Sequence, residues 1–357
     1  MNNPVLPSPG SKPPAIGRVQ RTSVLTHIKT SLYAYVTVPD PLDIFRALAD
    51  STRLRILALL RAMELSVGEL AQVLGQSQPR VSRHVKILAD AGLAVRRKEG
   101  SWVFLGLGAA ATVDPLLAAL DTWSEDGPGD HWAVADIARL AAVRADRARA
   151  AEDYFAAHAG EWDAIRSLHV AESEVEEAIG ALLGSDPLGR LVDIGTGTGR
   201  MIELFGARAS HALGVDRSPE MLRLARSKLA DAGLAQAELR QGDMYALPLP
   251  SGASDLVLLH QVLHYAQQPS AAIAEAARLL RDGGRLLVVD FASHEREELR
   301  SRDAHARLGF ADDQMAGWFA AAGLDSAGIR ALDGGELTVK LWLGVRAEEP
   351  VTKKVAA

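Results

Sequence analysis

A short glycine-rich run at Asp193–Arg200 is the segment of this sequence whose residues could do the most specific chemistry. It reads DIGTGTGR and follows the apolar residues Leu191 and Val192. Glycines directly after a strand let a ligand approach the backbone, and dinucleotide-binding proteins use a related spacing. Asp193 would repel a pyrophosphate, whereas its charge suits the ammonium of a methionyl group. The spacing therefore favours a cationic sulfonium ligand over a dinucleotide.

Two more carboxylates follow, each at the end of a later predicted strand. Asp216 closes the apolar run Leu213–Val215, and Asp243 follows the third predicted strand, Ala237–Gln241. Asp216 is suited to accept both hydroxyls of a ribose and Asp243 to take an adenine amino group, while Met221 and Met244 would contact the ring. Because ligands of open α/β sheets bind at the carboxyl ends of the strands, we expect these side chains to meet at one edge.

These pieces, with the turn LLRDGGR at Leu279–Arg285, resemble class I S-adenosylmethionine-dependent methyltransferases, in particular those of the ubiquinone and menaquinone type. The resemblance covers residues 188–295 well and the rest of this half loosely. It implies a Rossmann-like sheet of seven strands that ends in an antiparallel hairpin. The residues expected to bind S-adenosylmethionine are Asp193, Gly195, Thr196, Gly197, Gly199, Asp216, Arg217, Met221, Asp243, Met244 and His260.

Residues for catalysis are less defined, because methyl transfer depends mainly on holding donor and nucleophile at attack distance. A base is needed only if the acceptor loses a proton. His260, His264 and Tyr265 follow the fourth strand and are candidates by position alone; each is equally well explained as a pocket wall. The charged stretch after the fifth strand adds candidate acceptor contacts, which solvated helix faces explain equally well: Asp303, His305, Asp312 and Asp313.

A second motif set lies near the start of the chain, where the sequence predicts two helices, a tight turn and a basic hairpin. Ser66 and Glu69 form a predicted capping box for the helix Val67–Leu74. Pro79 begins the next helix, whose apolar positions Val81, Val85 and Leu88 share one face. The pattern is that of a winged helix-turn-helix, in which the amino-terminal part of the second helix enters the major groove of DNA.

The residues of this module resemble the ArsR/SmtB family of dimeric bacterial repressors. The similar stretches between Leu48 and Leu107 read LADSTRLRILALL, ELAQVLGQSQPRVSRHVKILADAGL and VRRKEGSWVFLGL. The resemblance implies a homodimer on double-stranded operator DNA. Expected base contacts are Gln78, Ser82 and Arg83, and expected phosphate contacts are Arg80, Lys86, Arg96, Arg97 and Lys98.

The sequence departs from that family at its metal-sensing site. Known sensors carry two cysteines in the motif ELCVC, whereas Ser66 and Gly68 stand in the corresponding run here, and the chain contains no cysteine. Ser and Gly are poor ligands for soft metals, so no metal site is predicted. The same absence excludes disulfides and cysteine nucleophiles. It also argues against arsenite methylation, which uses thiols in the known family.

Length and composition set the frame for both motif sets. The chain has 357 residues, which favours at least two domains. It carries a net charge of −6, with a basic amino-terminal part and an acidic remainder. No apolar run approaches the ~20 residues of a membrane span, and no signal core is present, so we expect a cytoplasmic protein without membrane contact.

The predicted organisation is α/β overall, with a winged helix-turn-helix followed by a class I methyltransferase sheet. Within the helical linker, Ala133–Ala151 is expected to be a long exposed connector. The boundaries are a disordered basic tail at 1–38, the DNA-binding domain at 39–110, a helical linker with the first methyltransferase helices at 111–184, the methyltransferase domain at 185–347 and a tail at 348–357.

The sequence leaves three functional interpretations open. The first is a DNA-binding regulator that carries a working methyltransferase of small-molecule or unknown specificity. The second is a non-catalytic sensor-repressor that binds S-adenosylmethionine or S-adenosylhomocysteine as its effector, for example to control methionine-cycle genes. The third, DNA methylation, is disfavoured because His260–Leu263 replaces the Asn/Asp-Pro-Pro-aromatic motif that would follow the fourth strand.

Overall fold

The computed structural model describes residues 40–99, 101–124, 131–158, 171–234, 236–333 and 335–347. The described residues belong to one compact unit of the chain. The predicted tails at 1–38 and 348–357 lie outside the described residues. Within the described ranges, no helix is long and apolar enough to cross a membrane.

Residues 41–107 form the predicted winged helix-turn-helix. Its three strands form an antiparallel sheet in the order β1-β3-β2. The elements are α1 (Pro41–Leu48), α2 (Ser51–Ala62), β1 (Leu65–Ser66), α3 (Val67–Leu74), α4 (Gln78–Asp90), β2 (Ala94–Glu99) and β3 (Trp102–Leu107).

Local signals in the sequence explain the two helices of the motif. Ser66 Oγ accepts a hydrogen bond from the Glu69 amide at 3.3 Å, and a Glu69 carboxylate oxygen accepts one from the Ser66 amide at 2.8 Å, which confirms the capping box. Gly75 ends α3 in the left-handed conformation, with φ of +64°. Val81, Val85 and Leu88 are fully buried, so the opposite face of α4 is turned outward.

Two further helices follow, α5 (Ala110–Ser124) and α6 (His131–His158). The expectation of an exposed connector at Ala133–Ala151 is wrong for its first half. Leu140 and Val143 are each 5% exposed and belong to the core of the winged helix-turn-helix. Apolar residues at i and i+3 place them on one face of α6, a signal that the Ala- and Arg-rich composition concealed.

Strands and helices alternate in the second part, as predicted. The described elements are α7 (Glu172–Leu183), β4 (Gly189–Ile194), α8 (Arg200–Phe205), β5 (Ala209–Asp216), α9 (Pro219–Asp231), β6 (Glu238–Gln241), β7 (Ser254–His260), α10 (Pro269–Leu279), β8 (Leu280–Phe291), α11 (Glu298–Arg302), α12 (Asp312–Ala321), β9 (Leu324–Leu332) and β10 (Val339–Arg346). Short 3₁₀ turns lie at Gly206–Arg208 and Leu263–Tyr265.

The seven strands form one sheet in the order β6-β5-β4-β7-β8-β10-β9. Strands β4 to β8 pair in parallel, and β10 pairs antiparallel with both β8 and β9, which confirms the terminal hairpin. Successive residues of the central strands alternate between two apolar layers: Val192 and Ile194 lie in one, and Leu191 in the other. Burial on both faces explains the near-continuous apolar runs in the sequence.

Candidate cofactor pocket and nucleic-acid interface

A pocket lies at the carboxyl edge of the large sheet, where the order of the strands reverses. The chain runs outward from β4 through β5 and β6 and then crosses back to β7, which pairs with β4 on its other side. Open α/β sheets bind ligands in the crevice that this reversal creates. Asp193, Asp216 and His260, which lie near the ends of these three strands, all line the pocket.

The glycine-rich loop after β4 folds tightly against β5. The amides of Gly195 and Thr196 both donate to the Val215 carbonyl, at 2.8 and 3.0 Å. Gly195 has φ of +73°, and a Cβ atom there would overlap the side chain of Val262. Thr196 Oγ1 donates to Asp193 Oδ2 at 2.6 Å, which fixes this buried carboxylate at the base of the pocket.

Asp216 joins the loop to the next helix. Its carboxylate accepts from the Gly197 amide and from the Ser218 amide, both at 2.8 Å. Burial raises the pKa of Asp216 above its ordinary value, although the backbone hydrogen bonds from Ser218 and Gly197 oppose this shift. The carboxylate is therefore held rigidly between two turns while it faces the pocket.

Apolar side chains close the pocket around these polar groups. Met221 is buried and Met244 half-buried, and both line it together with Val262. Asp243 lies at the exposed rim, where Oδ1 accepts from the Tyr245 amide at 3.1 Å. The structure thus brings together these predicted cofactor residues: Asp193, Gly195, Thr196, Gly197, Asp216, Arg217, Met221, Asp243, Met244 and His260.

Gly199 is the member of the predicted cofactor set that lies outside the pocket lining. It precedes α8 with φ of +82°, and a Cβ atom there would lie 3.2 Å from the Cβ of Ala225. Its place in the motif is explained by the turn into α8 and by the close packing of that helix. A ligand contact is not needed to explain it.

The three catalytic candidates separate into two groups. His260 and Tyr265 line the pocket, whereas His264 does not. The His264 ring is 2% exposed, and its Nδ1 lies 2.8 Å from Asp290 Oδ1. Burial raises the pKa of Tyr265 well above 10, so its phenol keeps its proton at neutral pH. Tyr265 can donate a hydrogen bond there but cannot serve as a base.

The charged stretch after β8 is only partly near the pocket. The buried His305 ring lies 4.4 Å from the His264 ring and 5.7 Å from that of Phe291, so it belongs to the packing around them. Asp312 accepts from Lys340 and Trp342 of β10, at 2.7 and 2.9 Å, and does not line the pocket. Asp313 is exposed and accepts from the Gln314 amide.

Several lining residues were not singled out from the sequence. Phe155, near the end of α6, lines the pocket, and its ring centroid lies 4.8 Å from that of Tyr265. Nothing in the sequence around Phe155 marks it, because the contact depends on the length of α6. Gln261 also lines the pocket and has φ of +48°, which is rare for a residue other than glycine. Its position directly after the fourth predicted strand was the available signal.

The predicted DNA-contacting residues lie mostly on the outward face of α4 and on the wing, which we define as β2 and β3. The exposed members of the set are Gln78, Arg80, Ser82, Arg83, Lys86, Arg96 and Lys98. Lys86 pairs with Asp90 within α4 at 2.7 Å. Arg97 is half-buried, and its guanidinium donates to Glu64 at 2.6 and 3.0 Å and to Glu99 at 3.0 Å. A phosphate contact by Arg97 would require these bonds to open.

Among the described residues, no group of three or more His, Asp or Glu side chains could hold a metal ion. Ser66 serves as the cap of α3, as described above, and is 6% exposed.

Comparison with known families agrees with both parts of the fold. Residues 50–95 match the family described as bacterial regulatory protein, arsR family. Residues 192–288 match the family described as methyltransferase domain. The first match contains α4, and the second contains the glycine-rich loop, Asp216, Asp243 and His260.

Individual relatives match one part each. The arsenical resistance operon repressor of Escherichia coli is 48% identical over 64 residues, which are 18% of this chain and 55% of the repressor. The uncharacterized methyltransferase YcgJ of Bacillus subtilis is 31% identical over 106 residues, 30% of this chain and 42% of that protein. The demethylmenaquinone methyltransferase of Thermus thermophilus is 36% identical over 104 residues, 29% of this chain and 47% of the enzyme.

The chain thus spans about half the length of the curated relatives it matches. The crystal structure of the YcgJ protein aligns with a TM-score of 0.44 at 20% identity, over 50% of this chain and all of that chain. The chain joins an arsR-type helix-turn-helix to a methyltransferase domain.

Proposed function

We propose that the chain is a DNA-binding transcriptional regulator that carries a working S-adenosylmethionine-dependent methyltransferase. The observation that carries the enzymatic part is the meeting of Asp193, Asp216 and Asp243 in one pocket at the strand-order reversal. Relatives named methyltransferases support a catalytic domain over one that only senses its ligand. The methyl acceptor is a small molecule that the sequence does not name.

The carboxylates that line the pocket suit S-adenosylmethionine. Asp193 would face the ammonium group, Asp216 the ribose hydroxyls and Asp243 the adenine amino group. Among the described residues that line the pocket are three carboxylates and one guanidinium, that of Arg217, and this excess of negative charge disfavours a pyrophosphate. A Cβ at Gly195 would overlap the side chain of Val262, so the loop needs glycine there to pack against this wall of the pocket.

Bound S-adenosylmethionine would supply an electrophilic methyl group on its sulfonium. The chain itself would orient the two reactants and keep water away, because Phe155, Val262 and Tyr265 form apolar walls of the pocket. The protonated phenol of Tyr265 would donate a hydrogen bond to an acceptor. His260 is the pocket residue we propose to take a proton from an acceptor that must lose one.

Calorimetric titration with S-adenosylhomocysteine tests the ligand site without an acceptor. Asp216→Ala removes the carboxylate that faces the ribose, and hydrogen bonds to charged groups contribute about 1.5–3 kcal/mol each. We expect the affinity to fall about 100-fold or more. Asp231→Ala, an exposed change at the end of α9, is the matched control and should bind as wild type does. Equal affinities for wild type and Asp216→Ala would contradict the proposed site.

The exposed face of α4 supports the DNA-binding part, with Gln78, Ser82 and Arg83 for bases and the basic residues nearby for phosphates. A homodimer on a two-fold operator is part of the proposal. Exposed apolar side chains on α1 and α6 support it: Leu42 and Phe45 are 60% and 61% exposed, and Val134 and Ile137 are 72% and 66% exposed. Access to chromosomal DNA implies a cytoplasmic location.

Binding to duplexes selected by the protein from a random-sequence pool tests the DNA-binding part. Arg83→Ala should weaken binding to the selected duplex by about 1–3 kcal/mol and binding to a shuffled duplex much less. Arg226→Ala removes an exposed arginine from α9 and should leave both affinities unchanged. An equal loss on both duplexes would show that Arg83 does not read bases.

A further inference from the structure

A buried arginine connects the methyltransferase domain to the winged helix-turn-helix. Arg307 lies between α11 and α12 and is 1% exposed. Its guanidinium lies 2.9 Å from a Glu64 carboxylate oxygen and 3.3 Å from one of Glu99. It also stacks over the Phe104 ring, 4.1 Å from the centroid. A planar guanidinium can satisfy carboxylates and an aromatic face together, which a lysine cannot do.

Other contacts extend this cluster to the tip of the wing. Arg300 lies 3.5 Å from Glu99 and 5.0 Å above the Trp102 ring. The Ser101 amide donates to Glu297 at 2.5 Å, and Arg97 of the wing lies 6.0 Å above Trp318 of α12. The wing is therefore held against the methyltransferase domain by charges that are largely removed from water. We call Arg307, Glu64 and Glu99 the clamp.

The clamp also supports the wall of the cofactor pocket. Arg307 donates to the Gln267 carbonyl at 3.0 Å, and Gln267 lines the pocket. The amides of Ala306 and Arg307 both donate to the His264 carbonyl at 2.9 Å. The segment 261–267 begins with the positive-φ residue Gln261. It is held in place by residues 306 and 307, in the loop between α11 and α12 that also contacts Glu64 and Glu99.

The held wing is less suited to DNA than a released one. Arg97 is bound to Glu64 and Glu99, the two carboxylates that also contact Arg307, so this ion-pair network keeps it away from phosphates. The Glu297 carboxylate of the methyltransferase domain accepts from the Ser101 amide at the wing tip, so it occupies a backbone donor and would repel a duplex there. A duplex that draws the wing toward itself would pull carboxylates from Arg307 and so loosen the support of Gln267.

We propose that the clamp couples the two sites negatively, so that a ligand in the cofactor pocket weakens duplex binding and a duplex weakens ligand binding. Because linkage is reciprocal, both effects must have the same factor. The inference rests on the proposed function, since it needs both sites to bind. It goes further by assigning positioning roles to Arg307, Glu64 and Glu99, which lie outside the lining of the cofactor pocket and off the exposed face of α4.

The test measures this factor in the full chain from both directions. Affinity for a selected duplex is determined with and without saturating S-adenosylhomocysteine, and affinity for S-adenosylhomocysteine with and without saturating duplex. We expect wild type to lose about fivefold or more in each measurement. Arg307→Met should bring both factors close to one, whatever its absolute affinities. Arg296→Met is the matched control, because Arg296 pairs with Glu298 and Glu336 rather than with the wing.

A second variant and a second readout keep the test decisive. Glu99→Gln removes one charge but retains a hydrogen-bonding side chain, and it should also lower the coupling factor between duplex and S-adenosylhomocysteine. It serves as the test if Arg307→Met fails to fold. Hydrogen exchange reports on the wing without DNA: S-adenosylhomocysteine should slow exchange in residues 94–107 of wild type and not of Arg307→Met. A factor of one in wild type, a gain in duplex affinity with ligand, or an undiminished factor in both variants would overturn the proposal. A wild type that binds no S-adenosylhomocysteine would instead refute the proposed function.

Discussion

Glu64 shows how one carboxylate can depend on two domains. Burial alone would raise its pKa, but the hydrogen bonds and charges of Arg97 and Arg307 hold the pKa below its usual value of 4.5. Glu99 shares both guanidinium groups with it. A carboxylate whose pKa is lowered by folding stabilises the fold above its unfolded pKa, and that contribution is lost as pH falls through the folded pKa.

This gives a pH-dependent prediction for Glu64→Gln. Near neutral pH the variant should lose about 1.5–3 kcal/mol in free energy of unfolding, because two charged hydrogen-bond partners lose their anion. The difference from wild type should shrink below pH 4.5. Urea unfolding at a series of pH values measures it. Glu174→Gln, an exposed change in the first turn of α7, should follow wild type throughout, whereas a difference for Glu64→Gln that is constant with pH would be evidence against the ion pairs.

Among individual residues, the sequence predicted best the carboxylates that stand at the ends of successive strands. Asp193, Asp216 and Asp243 were predictable because each stands at the end of a predicted strand, and all three line the pocket. Arg307 and Phe155 were not predictable. Arg307 stands in a charged stretch that reads as a solvated surface, and its burial depends on carboxylates more than 200 positions away.

Among the elements, α6 has the role most different from its expected one. It begins against the winged helix-turn-helix, where Asp136 accepts both 2.7 Å bonds of the Arg55 guanidinium. It ends at the cofactor pocket, where Phe155 meets Tyr265. Its 28 residues span about 42 Å as an α-helix. Hydrophobic periodicity predicted the helices around the motifs. The Ala-rich sequence of α6 did not indicate which elements this helix would contact.

The ion pair Arg55–Asp136 should contribute far more to the free energy of unfolding than the chemically identical pair Arg61–Asp121. Its side chains are 12% and 6% exposed, so Asp136→Asn leaves a charge buried and should cost about 3–5 kcal/mol in free energy of unfolding. Arg61–Asp121 also joins α2 to a later helix, but its side chains are 52% and 55% exposed. Asp121→Asn should therefore cost less than about 1 kcal/mol. Denaturant unfolding measures both, and equal losses would mean that α6 is not anchored at Asp136.

For the whole molecule, the two-part architecture was predictable from the two motif sets. The resemblance to class I methyltransferases implied the seven-stranded sheet and its terminal hairpin, and alternation of strands and helices is typical of a parallel doubly wound sheet. The packing of the wing against the methyltransferase domain was not available from the sequence. It rests on side chains that carry no local pattern, such as Trp102 over which Arg300 lies.

The whole molecule is predicted to form a homodimer. Phe45 is 61% exposed on α1, and burying it in a symmetric interface would stabilise a dimer. Light scattering should give twice the chain mass for wild type and a shift toward the chain mass for Phe45→Glu. Ile329→Glu alters an apolar side chain that is 51% exposed on β9, and it should leave the mass unchanged. Wild type with the mass of one chain at every concentration would rule out the dimer.

The buried Glu99 carboxylate of the wing also limits how freely the two halves can be exchanged. Glu99 is 6% exposed where Arg97, Arg300 and Arg307 neutralise it. A chimera that carried a different methyltransferase domain, with apolar residues at the positions of Arg300 and Arg307, would leave this buried charge with the Arg97 guanidinium alone. Grafting therefore requires a matched set of residues on both sides of the junction. Compatibility in domain shuffling would be decided by charge at this contact, more than by the length of the linking helix.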